Sequence, residues 1–219
     1  MTGAHRLPLR FDPVPLRAEV ADIEQHVAWE NHWSSDGDAW TIVPLLSTPR
    51  GSDDARAEPT AALERAPGIR NVLGAFRTEI LHARLSKLAA GKSIPRHRDF
   101  AYVRERRWSF ERGFVRLHAP IVTDEHVTWR LQDRPVDLRP GEIWYLNVCL
   151  PHSVENRSRN DRVHLVIEIV VNDWVRSLFP PESTWDRLRG AALRRFEPSL
   201  WALVQPLWAM RRRLQGRAA

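Results

Sequence analysis

From about residue 78 the chain stops reading as helix and becomes a series of short strand-like segments. "EILHARLSKL", "FVRLHAPIVT", "VTWRLQ", "PVDLR", "EIWYLNV" and "VHLVIEIVV" are each rich in Val, Ile, Leu and aromatics, and turn-forming residues separate them. No helical periodicity intervenes, which excludes the crossover units of a doubly wound parallel sheet. "RPGE" at 139–142 supplies a Pro-Gly pair suited to a tight turn between two of these segments. The pattern predicts a mainly β domain, a sandwich or jelly-roll barrel, with its core over about residues 78–173.

The flanks read differently. Residues 15–30 place Leu16, Val20, Ile23 and Val27 at helical spacing, which predicts an N-terminal amphipathic helix. "AWTIVPLLST" at 39–48 predicts a strand, "IRNVLGAF" a short helix, and the polar, Pro/Gly-marked stretch between them (about 49–68) a long surface loop. Beyond "NDWV" two prolines precede Ser183, Thr184 and Asp186, a helix start, and apolar residues continue to a basic end. The expected organisation is one domain over 1–180 and a helical extension over 181–219. Trp185, Trp201 and Trp208 need burial, so the extension is expected to pack on the barrel and not on a membrane.

Composition narrows the setting. No apolar run approaches the roughly 20 residues of a membrane span, and no apolar stretch follows the first basic residues as in a signal peptide. The one cysteine, Cys149, leaves no disulfide framework and fits a reducing cytoplasm. Lys and Arg total 33 against 27 Asp and Glu, a net +6, and only Lys87 and Lys92 are lysines. That excess does not by itself make a nucleic-acid surface, but the arginine bias suits a carboxylate or phosphate ligand.

The chemistry gathers around "SIPRHRDF". His97 and Asp99 stand either side of Arg98, and a second histidine, His152 in "LPHSVEN", follows some 50 residues later at the start of another strand segment. An H-x-D with a distant histidine is the sequence form of the two-histidine, one-carboxylate facial triad, which holds iron(II) on one face and leaves positions open. Arg162 opens "RVHLVIEIVV", where its guanidinium would grip a carboxylate bidentately. Arg116 and His118 alternate on "FVRLHAPIV" and so share one strand face. Cys149 reads as a packed strand residue and not a ligand, since a thiolate suits softer metals. The stretch "AYVRERRWSFERG" after the ligand pair is either a substrate-covering loop or a solvated charged loop.

"RLSKLAAGKSIPRHRD", "VRLHAPIVTD", "GEIWYLNVCLPHSVENRS" and "DRVHLVIEIVVNDW", spread over residues 84–174, resemble the aspartyl/asparaginyl β-hydroxylase family of iron(II)- and 2-oxoglutarate-dependent dioxygenases, which also includes bacterial L-proline cis-hydroxylases. The resemblance implies a double-stranded β-helix, a cupin-like jelly roll with flanking helices. It implies iron ligation by His97, Asp99 and His152. Arg162 and Ser86 match the residues that bind the distal carboxylate of 2-oxoglutarate, and Arg116 and His118 match those near its metal-chelating end. The implied reaction consumes oxygen, releases succinate and carbon dioxide, and hydroxylates an unactivated C–H bond of an amino acid, an amino-acid derivative, or an Asp, Asn or Pro residue of a peptide. The presence of Asp99 leans toward the bacterial amino-acid hydroxylases. Asn147 departs from the Asp usual in the proline hydroxylases. The competing reading is a cupin-like metal-binding or sensor module without turnover.

Overall fold

In a computed structural model the described residues are 3–32, 37–48, 56–99, 102–103, 106–107, 110, 113–181, 184 and 188. The chain divides into two compact units, Thr2–Pro180 and Pro181–Ala219 with Met1. The expected C-terminal helices, with Trp185, Trp201 and Trp208, lie outside the described residues, apart from exposed Thr184 and Leu188.

The elements of the first unit run β1 (Ala4–Arg10), α1 (Pro13–His26), β2 (Glu30–Asn31), β3 (Trp40–Ser47), β4 (Glu58–Pro59), α2 (Ala61–Glu64), α3 (Pro67–Gly74), β5 (Ile80–Leu88) and β6 (Ser93–His97). They continue with β7 (Tyr102–Val103), β8 (Arg106–Arg107), β9 (Phe114–Val122), β10 (Val127–Leu131), β11 (Arg134–Val136), β12 (Glu142–Leu146), β13 (His152–Asn156), β14 (Arg162–Val170) and α4 (Asp173–Ser177). The larger sheet has the order β1-β12-β9-β14-β5-β3-β2, with β4 on β3, and the smaller has β11-β10-β13-β6; every pairing is antiparallel. These two sheets form the expected jelly-roll core. Part of the stretch read as a loop is ordered, since β4 and α2 form at 58–64, whereas residues 49–55 lie outside the described set. Thr60 explains that order: its hydroxyl donates to the Pro44 carbonyl at 2.7 Å and ties the segment to β3.

Local chemistry sets the boundaries. Asp12 caps α1 by accepting from the Val14 amide at 2.9 Å, with Pro13 in the first turn, and Leu16, Val20 and Ile23 are buried. Val27, the last position of the predicted helical stripe, is already extended. The Glu19 carboxylate of α1 accepts from the Gly68 and Ile69 amides, so one helix caps the start of the next. Gly141 in "RPGE" has φ +82, and a Cβ there would sit 2.7 Å from the Phe11 carbonyl, so only glycine suits this turn. The β10–β11 hairpin turns on Gln132 and Asp133, both at positive φ, in a tight two-residue loop.

The central strands of the larger sheet, β9 and β14, are buried on both faces, and the faces differ in chemistry. In β9 and β14, Val115, Leu117, Ala119, Ile121, Val163, Leu165, Ile167 and Ile169 are buried on one parity. Helix α1 packs against β9. The opposite parity carries Arg116, His118, Arg162, His164 and Glu168, also buried. Across the strands His164 lies opposite Ser86 and Glu168 opposite both Arg116 and His82. A second apolar cluster, with Leu88, Ile94, Phe114, Trp129, Leu131, Leu146 and Val154, joins the two sheets around this polar interior.

Candidate metal centre

The two strands of the smaller sheet that pair most closely with the site are β6 and β13, and their register puts His152 directly opposite His97. Asp99 follows β6, and its amide donates to the Val148 carbonyl at 2.9 Å, which fixes it beside the turn leading into β13. One ligand atom from each of His97, Asp99 and His152 falls within 4.8 Å of the other two. The Asp99 Oδ1 stands 3.3 Å from His97 Nε2 and 3.9 Å from His152 Nε2.

The tautomers suit metal binding. His97 Nδ1 lies 2.8 Å from the Pro95 carbonyl and His152 Nδ1 3.0 Å from the Leu150 carbonyl. A carbonyl only accepts, so each Nδ1 carries a proton, and in the neutral ring the lone pair is left on Nε2. The buried His97 Nε2 faces Asp99 Oδ1. Trp129 stacks on His152, with ring centroids 5.1 Å apart and planes 1° from parallel, and holds the ring in place.

Protonation states agree with this arrangement. Burial alone would raise the Asp99 pKa, but Arg116, His97 and His152 outweigh it and hold the carboxyl well below the usual carboxylate range. Burial, reinforced by His97 and Arg116, brings His152 down to about 4, against the opposing pull of Asp99 and the Leu150 carbonyl. For His97 burial pulls down, yet Asp99 and the Pro95 carbonyl leave it above its ordinary value. One neutral imidazole, one ionised carboxylate and one imidazole sharing its proton equilibrium with that carboxylate make a donor set that fits a divalent cation of the iron type.

The other expected residues sit on the polar face of the larger sheet. Arg162 is 2% exposed, has no ion pair among the described residues, and makes one long bond, 3.4 Å, to the Ser86 carbonyl. Its Nε has no partner there, and burial alone brings its pKa down to about 9. Ser86 Oγ accepts from Trp40 Nε1 at 2.9 Å, which leaves the hydroxyl proton to donate elsewhere. His118 is buried, and neither of its ring nitrogens has a partner among the described residues. Burial and then Arg162 keep it well below its ordinary pKa, hence neutral. Arg116 is engaged with two carboxylates of the protein: its Nη1 donates to Asp99 Oδ2, its Nε donates to Glu168 Oε1 at 2.8 Å, and its Nη2 lies 2.7 Å from the same oxygen.

Sequence reasoning missed two residues of this interior, His164 and Glu168. His164 is 1% exposed with both ring nitrogens unpartnered among the described residues, 6.1 Å centroid to centroid from His118. Glu168 accepts from Arg84 Nη1 at 2.9 Å as well as from Arg116. The signal was present, because 162, 164, 166 and 168 share one strand face with the arginine that opens β14. By contrast Arg98, between the ligands, is exposed. Cys149 lies half-buried in the turn between β12 and β13, packed against the apolar cluster. Arg96 pairs with Asp133 on the surface, while Arg104 and Arg112, like the side chains of Arg106 and Arg107, lie outside the described set.

The profile of the aspartyl/asparaginyl beta-hydroxylase family matches residues 15–171. The chain belongs to that family. Among its curated relatives are L-proline cis-3-hydroxylase 2 of a Streptomyces species, 29% identical over 140 residues, and L-proline cis-4-hydroxylase of Rhizobium meliloti, 26% identical over 111 residues. The first alignment covers 59% of this chain and 46% of the relative, the second 49% and 37%, so the chain spans less than half the length of either. The fold is shared with an oxidoreductase of the 2OG-Fe(II) oxygenase family from Burkholderia pseudomallei, at TM-score 0.51 and 18% identity, over 78% of this chain and 86% of that one. The carbocyclase SnoK of nogalamycin biosynthesis is similarly related, at TM-score 0.52 and 14% identity, over 83% and 88% of the two chains. The family match covers α1, the polar sheet face and every residue of the candidate centre, from Ser86 to Glu168. Among the described residues no helix is long and apolar enough to cross a membrane.

Proposed function

We propose that the protein is an iron(II)- and 2-oxoglutarate-dependent dioxygenase that hydroxylates a C–H bond of a small amino-acid-like substrate or of an Asp, Asn or Pro residue in a peptide. His97, Asp99 and His152 would hold the iron. The observation that carries the reading is the His-Asp-His cluster with both Nε2 atoms directed to one carboxylate oxygen, in the same interior as a buried arginine with no counter-charge among the described residues.

The chain's own residues supply binding, orientation and exclusion of water. Arg162 takes the distal carboxylate of 2-oxoglutarate as the counter-charge it lacks, and the Ser86 hydroxyl donates to the same group. Neutral His118 and His164 line the interior beside them and offer donors without adding charge. Trp129, stacked on His152, keeps that side of the centre dry. Iron and oxygen supply the oxidation that turns 2-oxoglutarate into succinate and carbon dioxide and places a hydroxyl on the substrate. The names of the proline hydroxylase relatives support an amino-acid substrate.

The test is succinate formation with iron(II), ascorbate and 2-oxoglutarate over a panel of amino acids and short Asp-, Asn- and Pro-containing peptides. The reading expects one class of substrate to stimulate succinate release and to be recovered hydroxylated, with both signals lost in Asp99→Ala. If no panel member does so and 2-oxoglutarate fails to bind the metal-loaded protein, the protein is a metal-binding module and not this enzyme.

A further inference from the structure

Asp99 has two oxygens in two different environments. Oδ1 faces the Nε2 atoms of both histidines, whereas Oδ2 is held by Arg116 Nη1. Arg116 in turn is fixed from behind, because its Nε donates to Glu168 Oε1 at 2.8 Å and its Nη2 lies 2.7 Å from the same oxygen. Glu168 is 3% exposed and lies directly opposite Arg116 in the β9–β14 register.

Resting on the iron-site reading above, we propose that Glu168 is a positioning residue: through Arg116 it restricts Asp99 to a one-oxygen grip on the metal. An octahedral ion held by two imidazoles and one carboxylate oxygen keeps three positions, enough for a chelating cosubstrate and oxygen. A carboxylate free to rotate can bind through both oxygens, as carboxylates do on larger cations, and would fill one of those positions. Arg116 occupies Oδ2 with a charge-assisted hydrogen bond, and Glu168 removes the rotational freedom of that guanidinium. The desolvation of a carboxylate at 168 is costly, and Val166, one residue pair along on the same face, shows that an apolar side chain fits this sheet. Two N–H donors converge on Oε1, Arg116 Nε at 2.8 Å and Arg84 Nη1 at 2.9 Å, and Arg116 Nη2 adds an ion contact at 2.7 Å, so Glu168 stays ionised despite its burial. Packing alone does not call for a charge here; the orientation of Arg116 does.

The test measures cobalt(II) binding to the full chain by calorimetry and by the cobalt visible absorption, which reports coordination geometry. Loss of an outer partner of a metal ligand lowers metal affinity roughly 10–100-fold. That loss is expected in Glu168→Gln, together with an altered cobalt spectrum. Arg116→Ala should lose a similar amount, and the double variant no more than Arg116→Ala alone, because Glu168 acts through Arg116. Glu142→Gln is the control for losing a buried, arginine-held carboxylate elsewhere in the same sheet: Glu142 is also 3% exposed and accepts from Arg6 and Arg10. It should lose stability and leave cobalt affinity unchanged. If Glu168→Gln does not fold, Glu168→Asp keeps the charge but withdraws it from Arg116, and an intermediate loss is expected. Wild-type affinity and spectrum in the folded Glu168 variant, additive losses in the double variant, or an equal loss in Glu142→Gln would overturn the proposal. Failure of the wild-type protein to bind cobalt would instead refute the metal centre.

Discussion

Arg162→Met separates an anion-binding role from a structural one, because the two predict opposite changes in stability. The Arg162 pKa is brought down to about 9 by one cause, burial, with no carboxylate among the described residues to offset it. At about 1.36 kcal/mol per pKa unit, the ligand-free fold keeps this charge inside at a cost of roughly 5 kcal/mol. The folded pKa lies below the unfolded one, so the cost is fully present at pH 7, where both states are charged, and fades only as pH rises past about 9. Methionine is close in length and carries no charge; replacing uncompensated buried charge with apolar volume is expected to return about 1–4 kcal/mol. For a chain of this size that raises Tm by roughly 2–4 °C per kcal/mol. Urea denaturation of metal-free protein at pH 7, compared at equal m, measures it. The variant should be more stable than wild type and unable to bind 2-oxoglutarate. A destabilised Arg162→Met would show that the cation supports the fold and would refute the argument, as would a stabilised variant that still binds the cosubstrate.

Asn156→Ala is expected to lose about 3–5 kcal/mol, since a buried donor or acceptor left alone costs roughly 1–3 kcal/mol. Its side chain is fully buried, donates to the carbonyls of Leu88, Ala89 and Asn160, and accepts from the Ser158 amide and hydroxyl. A change below about 1 kcal/mol in the same denaturation assay would contradict that network. Metal-free protein should lose stability as pH falls from about 6.5 toward 4, because His152 is neutral in the fold with its pKa lowered to about 4 while the unfolded chain takes up a proton near 6.5. Stability from this group is complete above the unfolded pKa and drops through the window by up to roughly 3 kcal/mol; a flat profile for wild type, or an unchanged slope in His152→Gln, counts against it. Gly141→Ala should cost upward of about 1 kcal/mol, from positive φ and from the Phe11 carbonyl 2.7 Å from the new Cβ, and a neutral melting temperature would show that the turn can shift.

The long strands of the larger sheet, β3, β5, β9, β12 and β14, were legible because they are rich in Val, Ile, Leu and aromatics. The strands that carry the centre were not: "SIPRH" and "HSVEN" became β6 and β13 although neither has a strand-like apolar pattern. Ligand-bearing strands turn polar side chains inward, so the alternation that marks an ordinary half-buried strand is absent. β1 was hidden for a different reason. It is an edge strand with Pro8 and two arginines, Arg6 and Arg10, which meet Glu142 on its neighbour, and edge strands tolerate such residues. Likewise the β10–β11 turn uses Gln132 and Asp133 where Asn-Gly is the recognisable signal. The triad itself was readable, since only Arg98 separates His97 from Asp99 and a second histidine, His152, follows some 50 residues later. The Glu168–Arg116 link was not, because it depends on register between β9 and β14, and a sequence lists the partners without saying which face each other.

The central claim is that one interior joins a metal centre to a site for the carboxylates of 2-oxoglutarate. Calorimetric titration of 2-oxoglutarate into the protein loaded with manganese(II), into metal-free protein and into loaded Arg162→Met tests it most directly. The account predicts one-to-one binding to the loaded wild type, much weaker binding without metal, and loss of binding in the variant. Equal binding with and without metal, or binding unaffected by Arg162→Met, would contradict it.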